Sequence, residues 1–223
     1  MPGRRPARRC TIGLGLALGL VSGAALVGAT QRPAEARLID LHAGARAGGI
    51  VGWGTTPGTP DFFDSSRGGA FGAEVGVKVL VLDLSASFFQ VVNSHGRVGT
   101  LSQALLGFEI DVPMGNAQTA DGRPKLILRP GLGSGVAFGT PGPVHAPLSN
   151  DQISHKGLVS QAKLALEYSP HPLFGFGVEG DFGYHYFIGG GAAALSPGMT
   201  SISDHSSGYH LLGLATVTFH LGY

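Results

Sequence analysis

The stretch Tyr209-His210-Leu211-Leu212-Gly213-Leu214-Ala215-Thr216-Val217-Thr218-Phe219-His220-Leu221-Gly222-Tyr223 carries two faces on one segment. Tyr209, Leu211, Ala215, Val217, Phe219, Leu221 and Tyr223 share one parity, and His210, Thr216, Thr218 and His220 share the other. Successive side chains of an extended chain point to opposite sides, so a period of two is the signature of a strand with one apolar face.

Working back from this segment, the same alternation returns seven times, and within each segment the charges keep to one parity. Between Leu41 and Trp53 the odd positions are apolar, with His42 and Arg46 opposite. From Ala70 to Val79, Phe71, Val75, Val77 and Val79 oppose Glu74 and Lys78; from Leu82 to Val92, Leu84, Ala86 and Phe88 oppose Asp83, Ser85 and Ser87. From Leu101 to Val112, Ala104, Leu106, Phe108, Ile110 and Val112 oppose Gln103, Glu109 and Asp111. Leu126, Leu128, Leu132, Val136 and Phe138 oppose Lys125 and Arg129, and Ala162, Leu164, Leu166 and Tyr168 oppose Gln161, Lys163 and Glu167. From Leu173 to Phe187, Phe174, Phe176, Val178, Phe182, Tyr184 and Tyr186 oppose Glu179, Asp181 and His185. Eight strands in one domain are expected.

Composition agrees with an all-β chain. The 38 glycines among 223 residues disfavour helices, where each costs about 1 kcal/mol relative to alanine. The connections alternate too. Residues 54–68, 93–100, 139–157 and 188–207 are rich in Gly, Pro, Ser, His and Asp, whereas the links at Val79–Leu82 and Ser169–Pro172 are short. Long loops at one rim and short turns at the other are expected of a membrane-spanning barrel. The longer link at Pro113–Pro124 departs from that rule, although its Asp121-Gly122 pair supports a turn.

At the amino end, Arg4, Arg5, Arg8 and Arg9 precede an uncharged run from Thr11 to Ala29, and Ala34-Glu35-Ala36 offers small residues for cleavage. Residues 1–36 therefore read as a cleavable signal peptide for general secretion, and residues 37–223 as the mature barrel. Removing them takes away five arginines and one glutamate and turns a net charge of +1 into −3. No basic stripe remains, which excludes nucleic acid as a partner. Cys10 lies ahead of the apolar run, so the mature chain has neither disulfide nor lipid-bearing cysteine.

Alternation by itself is blind to which face points inward, since a soluble barrel with an apolar interior has the same period. Three features favour apolar outside. Charged residues make up only 13% of the chain, too few for a water-facing surface. Trp53, Phe71, Phe88, Phe138, Tyr168, Phe174, Tyr184, Tyr186, Tyr209 and Tyr223 lie near segment ends, as aromatic girdles at two water–lipid boundaries do. The third is the series Phe219, Leu221, Tyr223, which resembles the sorting signal read by the outer-membrane assembly machinery.

On this pattern residues 38–223 resemble the eight-stranded bacterial outer-membrane barrels of the OmpA, OmpX and OmpW type. The resemblance implies an all-β, eight-stranded antiparallel up-and-down transmembrane barrel, a monomer in the bacterial outer membrane with both mature termini in the periplasm. It also implies outer-membrane lipids as surroundings, and periplasmic chaperones and the barrel-assembly machinery as partners during biogenesis. It does not fix an activity.

The chemistry is expected in the lumen, where Arg46, Lys78, Lys125, Arg129 and Lys163 face Glu74, Asp83, Glu109, Asp111, Glu167, Glu179 and Asp181, with His185 nearby. Charges removed from water require partners, so a salt-bridged, closed lumen with a structural or surface-interaction role is the first expectation and a narrow ion or solute channel the second. A third is a lipid A-modifying enzyme, suggested by Glu179, Asp181 and His185 on one face and by Ser201, Ser203, His205 and His210 near the outer rim. No nucleophile is identified among them, so no catalytic residue is assigned. His95, His145, His155 and His205 come from separate loops without ligand spacing, so neither metal nor cofactor is expected. Gly189-Gly190-Gly191 and Gly131-Leu132-Gly133-Ser134-Gly135 lack the context of a phosphate loop.

Overall fold

The computed structural model describes residues 38–54, 67–93, 96–141, 155–190 and 205–222. Residues 1–36, Tyr223, His95, His145, Ser201 and Ser203 lie outside the described residues, as do the side chains of His155 and His205.

The alternating segments form β1 (Ile39–Gly54), β2 (Arg67–Val79), β3 (Leu82–Asn93), β4 (Gly96–Glu109), β5 (Val112–Pro113), β6 (Leu126–Pro141), β7 (His155–His171), β8 (Phe174–Gly190) and β9 (His205–Gly222). Each long strand pairs antiparallel with its neighbours in sequence; β4 pairs with β6, and β1 pairs with β9 to complete the ring. Eight long strands thus close on themselves, and the two-residue β5 extends the rim beside β6. Closure leaves no long strand with an unpaired edge, which is the condition for crossing a bilayer with strands.

The parity question resolves with the apolar face outward. Leu106 and Phe108 are 61% and 62% exposed, whereas Glu74, Glu109, Glu167 and Glu179 are buried. Trp53, Phe71, Phe138, Tyr184 and Tyr186 form the outward face toward the long-loop end, and Phe108, Tyr168, Phe176 and Phe219 do so toward the short-turn end. A continuous apolar belt of this extent is solvated by lipid, since soluble proteins rarely expose contiguous apolar patches beyond a few hundred Å².

Two differences from the sequence reading stand out. The strands run further toward the long-loop rim than the apolar alternation does, because backbone pairing continues through Gly- and Ser-rich sequence: β4 starts at Gly96 and β9 at His205. The segment Leu101–Val112 is also not one strand. It breaks after Glu109, opposite Pro130, which has no N–H for the ladder, and resumes at Val112, opposite Leu128.

The link from 114 to 125 is compact. Thr119 N–H donates to Arg123 O at 2.7 Å, Gly122 N–H to Thr119 O at 3.0 Å, and Lys125 N–H to Ala117 O at 2.8 Å. Gly122 takes φ +85° in the turn expected from Asp121-Gly122. Arg123 Nη1 donates to Pro172 O at 2.7 Å, tying the link to the β7–β8 turn.

Candidate functional site

The inward-facing residues fill the lumen in two tiers. Toward the short turns, where β1 and β6 begin and β4, β7 and β9 end, the tier is ionic. Lys78 Nζ lies 2.6 Å from Asp111 and 3.4 Å from Glu109; Lys163 Nζ lies 2.6 Å from the other Glu109 oxygen. Arg129 reaches Asp111 through Nε at 3.0 Å and Glu167 through Nη1 at 2.6 Å. Further up, Arg46 bridges Glu74 and Glu179, the latter at 2.8 Å.

Histidines complete this tier. His220 stands between two carboxylates, with Nδ1 2.8 Å from Asp40 and Nε2 3.2 Å from Glu167. A carboxylate oxygen only accepts, so both contacts use an N–H when the ring carries two protons. Ser169 Oγ donates to the second Glu167 oxygen at 2.8 Å. His42 Nε2 lies 3.6 Å from Glu74 and 3.8 Å from Asp83.

Many of these pairs skip a strand. Arg46 on β1 meets Glu179 on β8 across β9, Lys163 on β7 meets Glu109 on β4 across β6, and Lys78 on β2 meets Glu109 across β3. Gln103 Nε2 donates to Gln161 Oε1 at 3.0 Å across β6. The backbone ladder joins neighbouring strands; the side chains cross-brace next-nearest ones. The space for these side chains comes from inward glycines: a Cβ at Gly76 would stand 2.4 Å from the His42 ring.

Toward the long loops the tier is apolar. Ile50, Ala70, Phe89, Val91, Leu101, Ala137, Val159, Phe187, Leu212 and Leu214 form one buried cluster inside the barrel. His185 and His210 sit in this half, fully buried, with their Nδ1 atoms 3.2 Å apart, and His185 stacks on Phe187. Asp181 is fully buried where the tiers meet, and no ion pair among the described residues includes it.

Of the residues singled out in the sequence, Arg46, Glu74, Lys78, Asp83, Glu109, Asp111, Arg129, Lys163, Glu167, Glu179, Asp181 and His185 all lie on the lumen side. Asp111 is at the rim, its side chain 46% exposed. Lys125 precedes β6, half-exposed, and no ion pair among the described residues includes it. His185 joins the apolar half rather than the charges.

Sequence reasoning missed Asp40, His42 and His220 as network members and the contact of His210 with His185, and it missed the apolar tier entirely. The available signal for that tier was the pairs that break alternation: Phe88-Phe89, Val91-Val92, Tyr186-Phe187 and Leu211-Leu212 each place an apolar residue on both faces. Phe219 and Leu221 project outward, 60% and 58% exposed.

Neither a protein-family model nor a curated protein sequence matches the chain. Among solved structures, it is similar to Neisserial surface protein A, with TM-score 0.53 and 10% identity over 80% of this chain and 96% of that one. It is also similar to the outer-membrane protein OprG from Pseudomonas aeruginosa, with TM-score 0.38 and 12% identity over 83% and 96% of the two chains. For Ail, the attachment invasion locus protein of Yersinia pestis, the values are 0.38 and 12% over 80% and 97%. At such identities the likeness to Neisserial surface protein A shows the fold alone, and that fold is the eight-stranded outer-membrane β-barrel.

Proposed function

We propose that this chain is an integral protein of the bacterial outer membrane with a structural or surface-interaction role and a lumen closed to solutes. The observation that carries the reading is the filling of the lumen by both tiers; among the described residues, the spaces between the ionic side chains include two of about 30 Å³ each. Such a space holds a water molecule but no hydrated ion in transit. An eight-stranded barrel is just wide enough for its side chains to fill it, and here ten apolar residues occupy the loop-side half.

A channel would require Phe89, Phe187 and Leu101 to leave positions in which each is at most 1% exposed. An enzyme built on Glu179, Asp181 and His185 would need substrate to reach side chains that are at most 6% exposed. The recognition role therefore falls to the loops, which a rigid scaffold presents outside the cell. The chain is a monomer in this reading, exported through residues 1–36 and folded by the barrel-assembly machinery with periplasmic chaperones.

Planar-bilayer recording on the purified mature protein tests the closed lumen. Undisturbed baseline across the physiological voltage range is the expected result. Reproducible discrete conductance steps would replace the structural reading with the channel.

A further inference from the structure

The outward face of β8, β9, β1 and β2 has a depression that its own packing does not explain. Gly180, Gly213 and Gly49 face each other in register on β8, β9 and β1, all on the lipid side. Most other glycines in the barrel wall have an internal reason. A Cβ at Gly48, Gly72 or Gly157 would fall within 2.0 Å of a neighbouring strand's carbonyl oxygen. In contrast, a Cβ at Gly213 would meet nothing within 4 Å, one at Gly49 would meet only Gly68 O at 3.7 Å, and one at Gly180 only Leu212 O at 4.0 Å.

Glycine weakens a strand, and an outward position in a bilayer ordinarily carries an apolar side chain. Two of the three, Gly49 and Gly213, line an open groove of about 490 Å³ together with Val51, Gly68, Leu211 and Arg67. Beyond its loop-side end, on the same outward face, Trp53, Tyr209 and Phe182 form a group of rings with centroids 5.7–6.3 Å apart. Charge then discriminates among occupants. Arg67 is the one charged residue among the described outward-facing positions of these four strands, and it stands at the groove's loop-side end, paired in register with Val51. A second copy of the barrel would bring an equally uncharged apolar wall against that cation. A lipid of the outer leaflet brings a chain for the groove and a phosphate for the guanidinium.

We propose that this groove is a binding site for one outer-leaflet lipid whose phosphomonoester gives the headgroup a net negative charge, as the zwitterionic phosphodiester of phosphatidylcholine does not, with an acyl chain lying over Gly49 and Gly213 and the phosphate on Arg67. The group of rings holds the headgroup at the interfacial level where Trp and Tyr reside. The site is on the barrel's outer wall, so it does not depend on whether the lumen conducts.

The test uses the full mature barrel in vesicles of phosphatidylcholine with added lipid A, extracted into mild detergent and weighed by native mass spectrometry. The wild type retains lipid A at one per barrel and discriminates against phosphatidylcholine. Gly213→Leu and Gly49→Leu fill the groove and reduce retention at least tenfold; Arg67→Gln retains lipid but loses the preference for lipid A. Ala45→Leu, on the same face away from the groove, retains lipid A as the wild type does. Heat-modifiable gel mobility verifies folding, and Gly213→Ala, which meets open space, supplies a graded effect should a leucine variant not fold. Equal lipid A retention in every folded variant overturns the site. So does a cross-linkable dimer in the wild type that Gly213→Leu abolishes, because the occupant is then a second copy.

Discussion

Arg46 Nη1 stands 2.8 Å from Glu179 Oε1 although β9 runs between their strands, and the same guanidinium holds Glu74 on β2 with its other nitrogen. One side chain therefore links β2, β1 and β8 through the lumen, with all three groups buried. The arrangement is a cross-brace whose removal exposes the cost of burying the remaining charges.

Arg46→Met leaves two buried carboxylates without their shared cation. Removing one partner of a buried pair costs about 3–5 kcal/mol, whereas replacing all partners by neutral groups is often close to neutral. Urea unfolding in micelles is expected to report a loss in that range for Arg46→Met. The triple variant with Glu74→Gln and Glu179→Gln is expected to recover at least half of it. A single variant as stable as the wild type contradicts the brace.

The two tiers predict where the barrel leaks. Phe89 and Phe187 are each 1% exposed inside the loop-side half, and Phe→Ala in a packed core removes about 3–5 kcal/mol of stability and opens a void. Phe89→Ala combined with Phe187→Ala is expected to stay silent in planar bilayers while the ionic tier is intact, and to give discrete conductance once Lys163→Ala opens that tier as well. A silent, folded triple variant would contradict a seal made of these two tiers.

The His185–His210 contact is set by a glycine. Gly183 lies in register with His210, and a Cβ there would stand 2.1 Å from the His210 ring. Gly183→Ala therefore has to displace a fully buried imidazole. Lower thermal stability is expected, together with a changed environment for both rings in histidine NMR spectra. Adding His210→Ala removes the clash, so the double variant is expected to be more stable than Gly183→Ala alone. Additive losses would contradict the steric account.

The fold was legible because each strand has one apolar and one polar face, and parity within the segments assigns Glu74, Lys78, Glu109, Lys163 and Glu167 to one side without any tertiary information. What parity hides is depth. Ile50, Phe89 and Leu101 share their faces with charged residues lower on the same strands, as Leu212 does with His220, and only pairing in space reveals that they gather at one end. The histidines were hidden for a different reason. His42 and His220 were read as polar but not as partners, because the carboxylates that hold them, Asp83, Asp40 and Glu167, come from other strands. The break at Glu109 was obscured by apolar alternation that continues to Val112, while Pro130 on the facing strand removes a ladder donor.

Leu80 offers a gain in stability. It sits in the tight turn between β2 and β3 with φ +58°, the left-handed region, and its side chain is 58% exposed. A non-glycine residue in that region costs about 1–2 kcal/mol, and glycine escapes most of it at some expense in chain entropy. Leu80→Gly is expected to raise unfolding stability by about 1 kcal/mol in urea titrations. A loss of stability would show that the leucine side chain contributes more at the water–lipid boundary than its backbone costs.

The outward series on β9 separates assembly from folding. Phe219 and Leu221 are among the most exposed apolar residues of the barrel, pair in register with Ala43 and Leu41, and belong with Tyr223 to the alternating series that resembles a sorting signal. Replacing Phe219 and Leu221 by serine removes apolar surface from one strand without disturbing the lumen or the ladder, so the purified variant is expected to refold in detergent with normal heat-modifiable mobility. On the proposal that the assembly machinery reads this apolar series, the same variant is expected to accumulate unfolded in the periplasm. Quantitative immunoblotting of membrane and periplasmic fractions distinguishes the two steps. Normal membrane insertion of the variant would dismiss the sorting role, and failure to refold in detergent would assign the residues to barrel stability instead.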